Sequence, residues 1–106
     1  MNISIITFTE NGTKLAEKIR QAFVGTKMEE AKKLGLSLSD WTRQQFAEKN
    51  AIVVIGACGI AVRMIAPFVS DKLSDSPVVV ADEAGMFVIP LLSGHMGCLL
   101  YTSDAA

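Results

Sequence analysis

Apolar and polar positions fall along this chain in blocks that predict strands separated by helices. Ile3 to Phe8 is a short β-branched and aromatic run, the composition of a first strand. Thr9, Glu10, Asn11 and Gly12 read as a turn, after which Thr13 is placed to cap a helix. Leu15, Ile19 and Phe23 recur every four residues with Ala16 and Ala22 beside them, the apolar stripe of an amphipathic helix that Gly25 ends. From Thr26 to Leu38 the pattern is ambiguous: Lys27 to Leu34 has helical composition, and Leu36 to Leu38 suits a short edge strand. Ser39 or Asp40 can cap a second helix that carries Trp41 and Phe46 to about Lys49, with Asn50 closing it.

Ala51 to Ile55 is apolar at every position, which predicts a central strand covered on both faces. Gly59 to Ala66 follows as a short helix stopped by Pro67. Val78 to Ala81 and Phe87 to Leu92 are two further strands, joined through the hairpin turn Asp82-Glu83-Ala84-Gly85. Strands alternating with helices give an α/β class: a mostly parallel, Rossmann-like sheet of about four or five strands flanked by helices, with a C-terminal hairpin. The direction of Val78–Ala81 decides the rest. If it runs parallel to Ala51–Ile55, the hairpin carries residues after Leu92 to the opposite sheet edge from Gly56. If it runs antiparallel, both loops meet at one edge, and that convergent arrangement is the one expected here.

At 106 residues the chain is one domain with a modest core. A net charge of -1 gives no concentrated positive surface, so nucleic acid is not an expected partner. Lys27, Lys32 and Lys33 interleave with Glu29 and Glu30, which reads as a solvated helix face. Cys58 and Cys98 lie far apart and there is a single histidine, so neither a zinc site nor a disulfide is expected. The N-terminus lacks a positive region and a cleavage site, so it is not read as a signal peptide. Ala51 to Val69 is strongly apolar, but Gly56, Gly59, Arg63 and Pro67 punctuate it as strand, turn and helix, so no membrane span is expected. The simplest location is the cytoplasm.

Four groups of residues carry candidate chemistry. Gly56-Ala57-Cys58-Gly59 follows a strand and opens a helix, where unpaired backbone N–H groups attract anions. It lacks the third glycine of a dinucleotide fingerprint and the Gly-Lys-Ser/Thr of a P-loop. The alternative is that both glycines serve only the turn. Arg63, one turn into that helix among apolar neighbours, can either clamp a ligand carboxylate or pair with Asp71, Asp75 or Asp82. Ser93-Gly94-His95 follows the last strand. His95 could act as a general base and Ser93 as a nucleophile, or Ser93 could cap a helix while His95 bonds to backbone. Asp71, Asp75, Asp82 and Glu83 sit in turns, where they can hold Arg63 or Lys72. Cys58 has no base nearby and reads as a small packing residue.

The stretch Ile55-Gly56-Ala57-Cys58-Gly59-Ile60-Ala61-Val62-Arg63, then Ile65-Ala66-Pro67, Asp71-Lys72, Asp75, Val78-Val79-Val80, Asp82-Glu83 and Gly85, leads to Pro90-Leu91-Leu92-Ser93-Gly94-His95 and Gly97. This spaced set resembles the N-terminal domain of the cobalt-precorrin-5A hydrolase family of anaerobic cobalamin biosynthesis, strongly from Ile52 onward and weakly before it. The resemblance implies an enzyme that opens the δ-lactone of a cobalt-bearing tetrapyrrole and releases the former bridging carbon fragment as acetaldehyde. It implies a substrate rich in carboxylates, suited to Gly56, Gly59, Ile60, Arg63 and Gly94 as binding positions. His95, with Ser93, is the expected catalytic group, and backbone N–H groups of Gly59 and Ile60 are expected oxyanion donors. No resident cofactor is expected, since cobalt travels with the substrate.

The resemblance also implies further domains downstream as partners. The expected division is an N-terminal α/β domain over residues 1–97 and an atypical tail over 98–106. In place of paired glycines followed by Ala-Asn, Gly97 leads into Cys98-Leu99-Leu100-Tyr101, which reads as a truncated or non-native end. Three functions remain open: part of the hydrolase, a non-catalytic tetrapyrrole- or anion-binding module, and a general anion- or nucleotide-binding α/β domain.

Overall fold

The computed structural model describes residues 2–71 and 75–92. In chain order its elements are β1 (Ile3–Thr7), α1 (Glu10–Ala22), β2 (Thr26–Glu30), α2 (Leu38–Glu48), β3 (Ala51–Ile55), α3 (Cys58–Ile65), β4 (Val78–Ala81) and β5 (Val88–Leu92). Short 3-10 turns occupy Ala31–Lys33 and Ala66–Phe68. The strands form one sheet in the order β2-β1-β3-β4-β5, parallel except for β5. The expected α/β class, mostly parallel sheet and terminal hairpin are all present.

α1 covers one face, where Leu15 and Ala16 pack on Ile3, Ile5, Val53, Ile55 and Val79. α2 and α3 cover the other, bringing Trp41, Ala61, Met64 and Ile65 onto Ile6, Ile52, Val54 and Val78. β3 and β4 are buried at every position, as their unbroken apolar composition demands.

The ambiguous segment resolves as a strand. Thr26–Glu30 pairs in parallel with β1, placing Met28 against the α1 core while Lys27 and Glu29 stay exposed. Its mixed charges suggested a helix, but pairing with β1 outweighs local propensity, and charge on an edge strand discourages further pairing. Both caps also lie earlier than expected. Thr9, not Thr13, caps α1 by accepting the Gly12 N–H at 3.0 Å. Ser37, not Ser39 or Asp40, caps α2 by accepting the Asp40 N–H at 3.0 Å.

The convergent arrangement is overturned. β4 runs parallel to β3, and β5 returns antiparallel, with Val88 beside Ala81 and Leu92 beside Val78. The crossover explains this. Eight helical residues span roughly 12 Å, enough to carry the chain back along a strand of four or five residues. β4 therefore starts again near the level of Ile52.

Gly12 packs closely between α1 and the end of β3. A Cβ there would stand 3.1 Å from Thr9 Oγ1 and 3.2 Å from Ile55 Cγ2. Gly12→Val is expected to lower stability by about 2–3 kcal/mol through overpacking. Gly35→Ala, with nothing within 4 Å, should change it by less than about 0.5 kcal/mol. Urea denaturation of both variants checks the contrast.

Candidate functional site

The strand order reverses direction between β1 and β3, since the chain steps outward to β2 and then crosses to the other side. Ligands of open α/β sheets bind at such a switch point, outside the carboxyl ends of the strands. Here three segments meet that edge: Phe8–Thr9 leading into α1, Gly56–Ala57 leading into α3, and the turn between β4 and β5.

These segments are tied together. The Gly56 N–H donates to the Ala81 carbonyl at 3.0 Å, extending the β3–β4 ladder. The Phe8 ring lies against Gly56, where a Cβ would be 3.1 Å from Phe8 Cδ2. Thr9 accepts the Gly12 N–H and donates its own hydroxyl to the Glu83 carboxylate, joining the α1 cap to the hairpin turn. Asp82 is used within its own turn, accepting the Phe87 N–H at 2.8 Å.

α3 begins differently from α1 and α2. Its N-cap is Ala57, which offers no side-chain acceptor. The Ile60 N–H donates to the Ala57 carbonyl at 3.1 Å and the Ala61 N–H to the same oxygen at 3.3 Å. Ile60 is therefore not available as an oxyanion donor: the first turn closes with an i→i+3 bond that uses its proton. The N–H groups of Cys58 and Gly59 precede any possible intrahelical acceptor, so these are the donors that α3 presents. Both residues are exposed. Nothing lies within 4 Å of a Cβ built on Gly59, and neither Gly56 nor Gly59 has a positive φ. The fold requires Gly56 to be small beneath Phe8, but makes no such demand of Gly59. Cys58 is likewise exposed rather than packed, which corrects its reading as a packing residue.

Arg63 lies on the solvent side of α3. Arg20 pairs with Glu17 and Arg43 with Asp40, whereas Arg63 makes no ion pair among the described residues. The structural alternative fails for two of its expected acids directly. Asp75 accepts the Ser70 N–H through both carboxylate oxygens, at 2.9 and 3.0 Å, and Asp82 holds Phe87.

Ser93, Gly94 and His95 lie outside the described residues, as do Lys72, Cys98 and the 98–106 tail. β5 ends at Leu92, which is level with Val78 and so with Ile52, at the sheet end away from Gly56. The site residues that sequence patterns missed are Phe8, Thr9 and Gly12. The available signal was a threonine three residues before a glycine directly after a strand, the spacing of a side-chain cap.

Residues 40–99, more than half of the chain, match the family described as cobalamin synthesis G N-terminal. The chain belongs to this family. The matched segment contains the α3 loop, Arg63 and the Ser93–His95 run. The chain is 40% identical over 103 residues to the cobalt-precorrin-5A hydrolase of Salmonella typhimurium strain LT2, covering 91% of this chain and 29% of that protein. It is 46% identical over 52 residues to the cobalt-precorrin-5A hydrolase of Priestia megaterium, covering 49% of this chain and 14% of that protein. The chain thus spans less than a third of the length of either curated relative. A crystal structure of a cobalamin biosynthesis protein G homolog from Sulfolobus solfataricus shares the fold, with a TM-score of 0.73 at 21% identity over 99% of this chain and 35% of that one. Among the described residues, no helix is long and apolar enough to cross a membrane.

Proposed function

We propose that this chain forms part of the substrate site of a cobalt-precorrin-5A hydrolase acting in the cytoplasm. The observation that carries the reading is the uncapped start of α3, followed one turn later by an arginine with no acid partner among the described residues. The names of the related hydrolases support the substrate class. Water adds to the lactone carbonyl and the ring oxygen leaves as an alkoxide on the former bridging carbon. As that oxygen becomes a carbonyl the carbon–carbon bond to the macrocycle breaks, the bridging carbon departs with its methyl group as acetaldehyde, and the macrocycle carbon takes up a proton. The substrate's peripheral carboxylates suit the N–H groups of Cys58 and Gly59 and the guanidinium of Arg63. In this reading His95, with Ser93, carries the proton transfer, Gly94 helps to hold the bound group, and cobalt enters only as part of the substrate.

A second reading is favoured by the direction of β5. Its last residue, Leu92, lies at the far end of the sheet from Gly56, which suits a tetrapyrrole-binding module whose catalytic groups sit elsewhere in the full-length family protein. His95→Ala in a full-length hydrolase separates the two, since only the first reading requires acetaldehyde release to collapse.

Substrate binding tests the shared part. Titration with cobalt-precorrin-5A, followed by visible absorbance, is expected to saturate, and Arg63→Ala to weaken it about tenfold. Gly59→Ala should raise stability by about 0.5 kcal/mol while weakening binding, because a methyl group would occupy the approach to the free N–H groups. Unchanged affinity in both variants would remove α3 from the site.

A further inference from the structure

The solvent face of α3 is unusual for a surface helix, because Ile60 is 38% exposed and Val62 46% exposed where polar residues normally stand. Ile60 and Arg63 open onto a groove of about 300 Å³ between α2 and α3, whose other walls are Leu38, Ser39, Met64 and Pro67. We propose that this groove seats one apolar face of a carboxylate-rimmed tetrapyrrole, with Arg63 at its lip holding a rim carboxylate.

This rests on the substrate class proposed above and adds the place and orientation of the macrocycle. Charge complementarity selects the occupant. A groove lined almost wholly by apolar side chains meets a single cation, and that cation has no acid partner among the described residues. The neighbouring arginine, Arg43, is already engaged by Asp40 and stands 5.7 Å from the centroid of the Phe68 ring. One turn before Arg63 lie the free N–H groups of Cys58 and Gly59, with open space in front of Gly59. A flat apolar body with negative charge at its edge satisfies all of these features at once. A neutral apolar ligand leaves the guanidinium unused, and a small anion leaves the groove empty.

Val62 supplies an internal control. It is at least as exposed as Ile60 and belongs to the same helix, but it does not line the groove. The test uses the 106-residue chain with cobalt(III) uroporphyrin, which carries eight carboxylates, and with hydroxocobalamin, whose side chains are amides. Binding is read from quenching of Trp41, the only tryptophan. Sedimentation records oligomeric state, and a thermal melt confirms that each variant is folded.

Cobalt(III) uroporphyrin is expected to bind at least tenfold more tightly than hydroxocobalamin. Arg63→Gln and Ile60→Ser should each weaken it fivefold or more, and Val62→Ser less than twofold. Equal losses for Ile60→Ser and Val62→Ser overturn the groove. So does an Ile60→Ser variant that changes oligomeric state but not affinity, which would make this face a contact between copies. If Arg63→Gln weakens binding and Ile60→Ser does not, the groove fails while the α3 anion site stands. If the folded wild-type chain binds neither tetrapyrrole, both proposals fail together.

Discussion

Replacing Trp41 with alanine is expected to remove about 3–5 kcal/mol of stability, the usual loss for an aromatic deleted from a core. Trp41 is 4% exposed on α2 and belongs to the cluster that joins this helix to Ile6, Ile52, Val54 and the inner side of α3. The neighbours beneath it cannot fill the space, because Ile52 and Val54 are fixed in the central strand and Ala61 is small. A domain of this size holds about 5–15 kcal/mol in total, so the loss takes a large share of it. Trp41→Phe keeps most of the apolar volume and should lose about 1–2 kcal/mol. Urea unfolding followed by far-ultraviolet circular dichroism measures both without relying on tryptophan emission. A loss below about 1 kcal/mol for the alanine variant would show that α2 is not anchored through this residue.

Gln45→Leu is expected to cost about 2–4 kcal/mol for a different reason, the loss of hydrogen bonds inside the fold. Gln45 Oε1 accepts from Ser4 Oγ at 2.7 Å and from Asn50 Nδ2 at 2.9 Å, and all three residues are buried. Its backbone carbonyl accepts the Asn50 N–H at 3.0 Å and the Ser76 hydroxyl at 3.3 Å. The side chain thus binds α2 to β1 and to the loop entering β3. Leucine leaves the Ser4 hydroxyl without its acceptor and deprives the Asn50 amide of one of its two, the other being the Glu48 carboxylate at 3.2 Å. Adding Ser4→Ala removes one of the stranded groups, so the double variant should be less destabilised than the sum of its parts, by about 1 kcal/mol. Strict additivity in that double-mutant cycle would show that the Ser4–Gln45 bond contributes nothing.

Each of these predictions depends on a residue whose role was visible in the sequence to a different degree. Trp41 belonged to a predicted helix and its burial was foreseeable, although not the strands it would meet. Gln45 gave no signal, because a glutamine within a helix is ordinarily solvated. Its partners are distant in the chain and are assembled only by the sheet. Gly12 was legible as a turn glycine, but its cause is the nearby Ile55 side chain on another strand. Thr26–Glu30 had to be misread locally, since its strand identity comes from pairing with β1 rather than from its own composition.

At the candidate site the local chemistry was readable before the geometry. The Gly56–Gly59 loop and Arg63 suggested an anion-binding helix start through residue type and spacing alone, beside the alternatives of a simple turn and a structural ion pair. Which N–H groups remain available did need it, because Ile60 differs from Gly59 only in having Ala57 O within reach. The fate of Arg63 also needed it, since Asp75 and Asp82 were plausible partners until their carboxylates were seen to hold backbone N–H groups.

The amino-acid sequence by itself determined the α/β class, the buried central strands, the position of the α3 loop and the family, because each follows from local periodicity or from residues at fixed spacing. Only the tertiary structure decided that β4 lies parallel to β3 and that the hairpin therefore leads away from the α3 loop. A short crossover helix is compatible with either direction, and the choice rests on strand pairing and core packing between residues far apart in the chain.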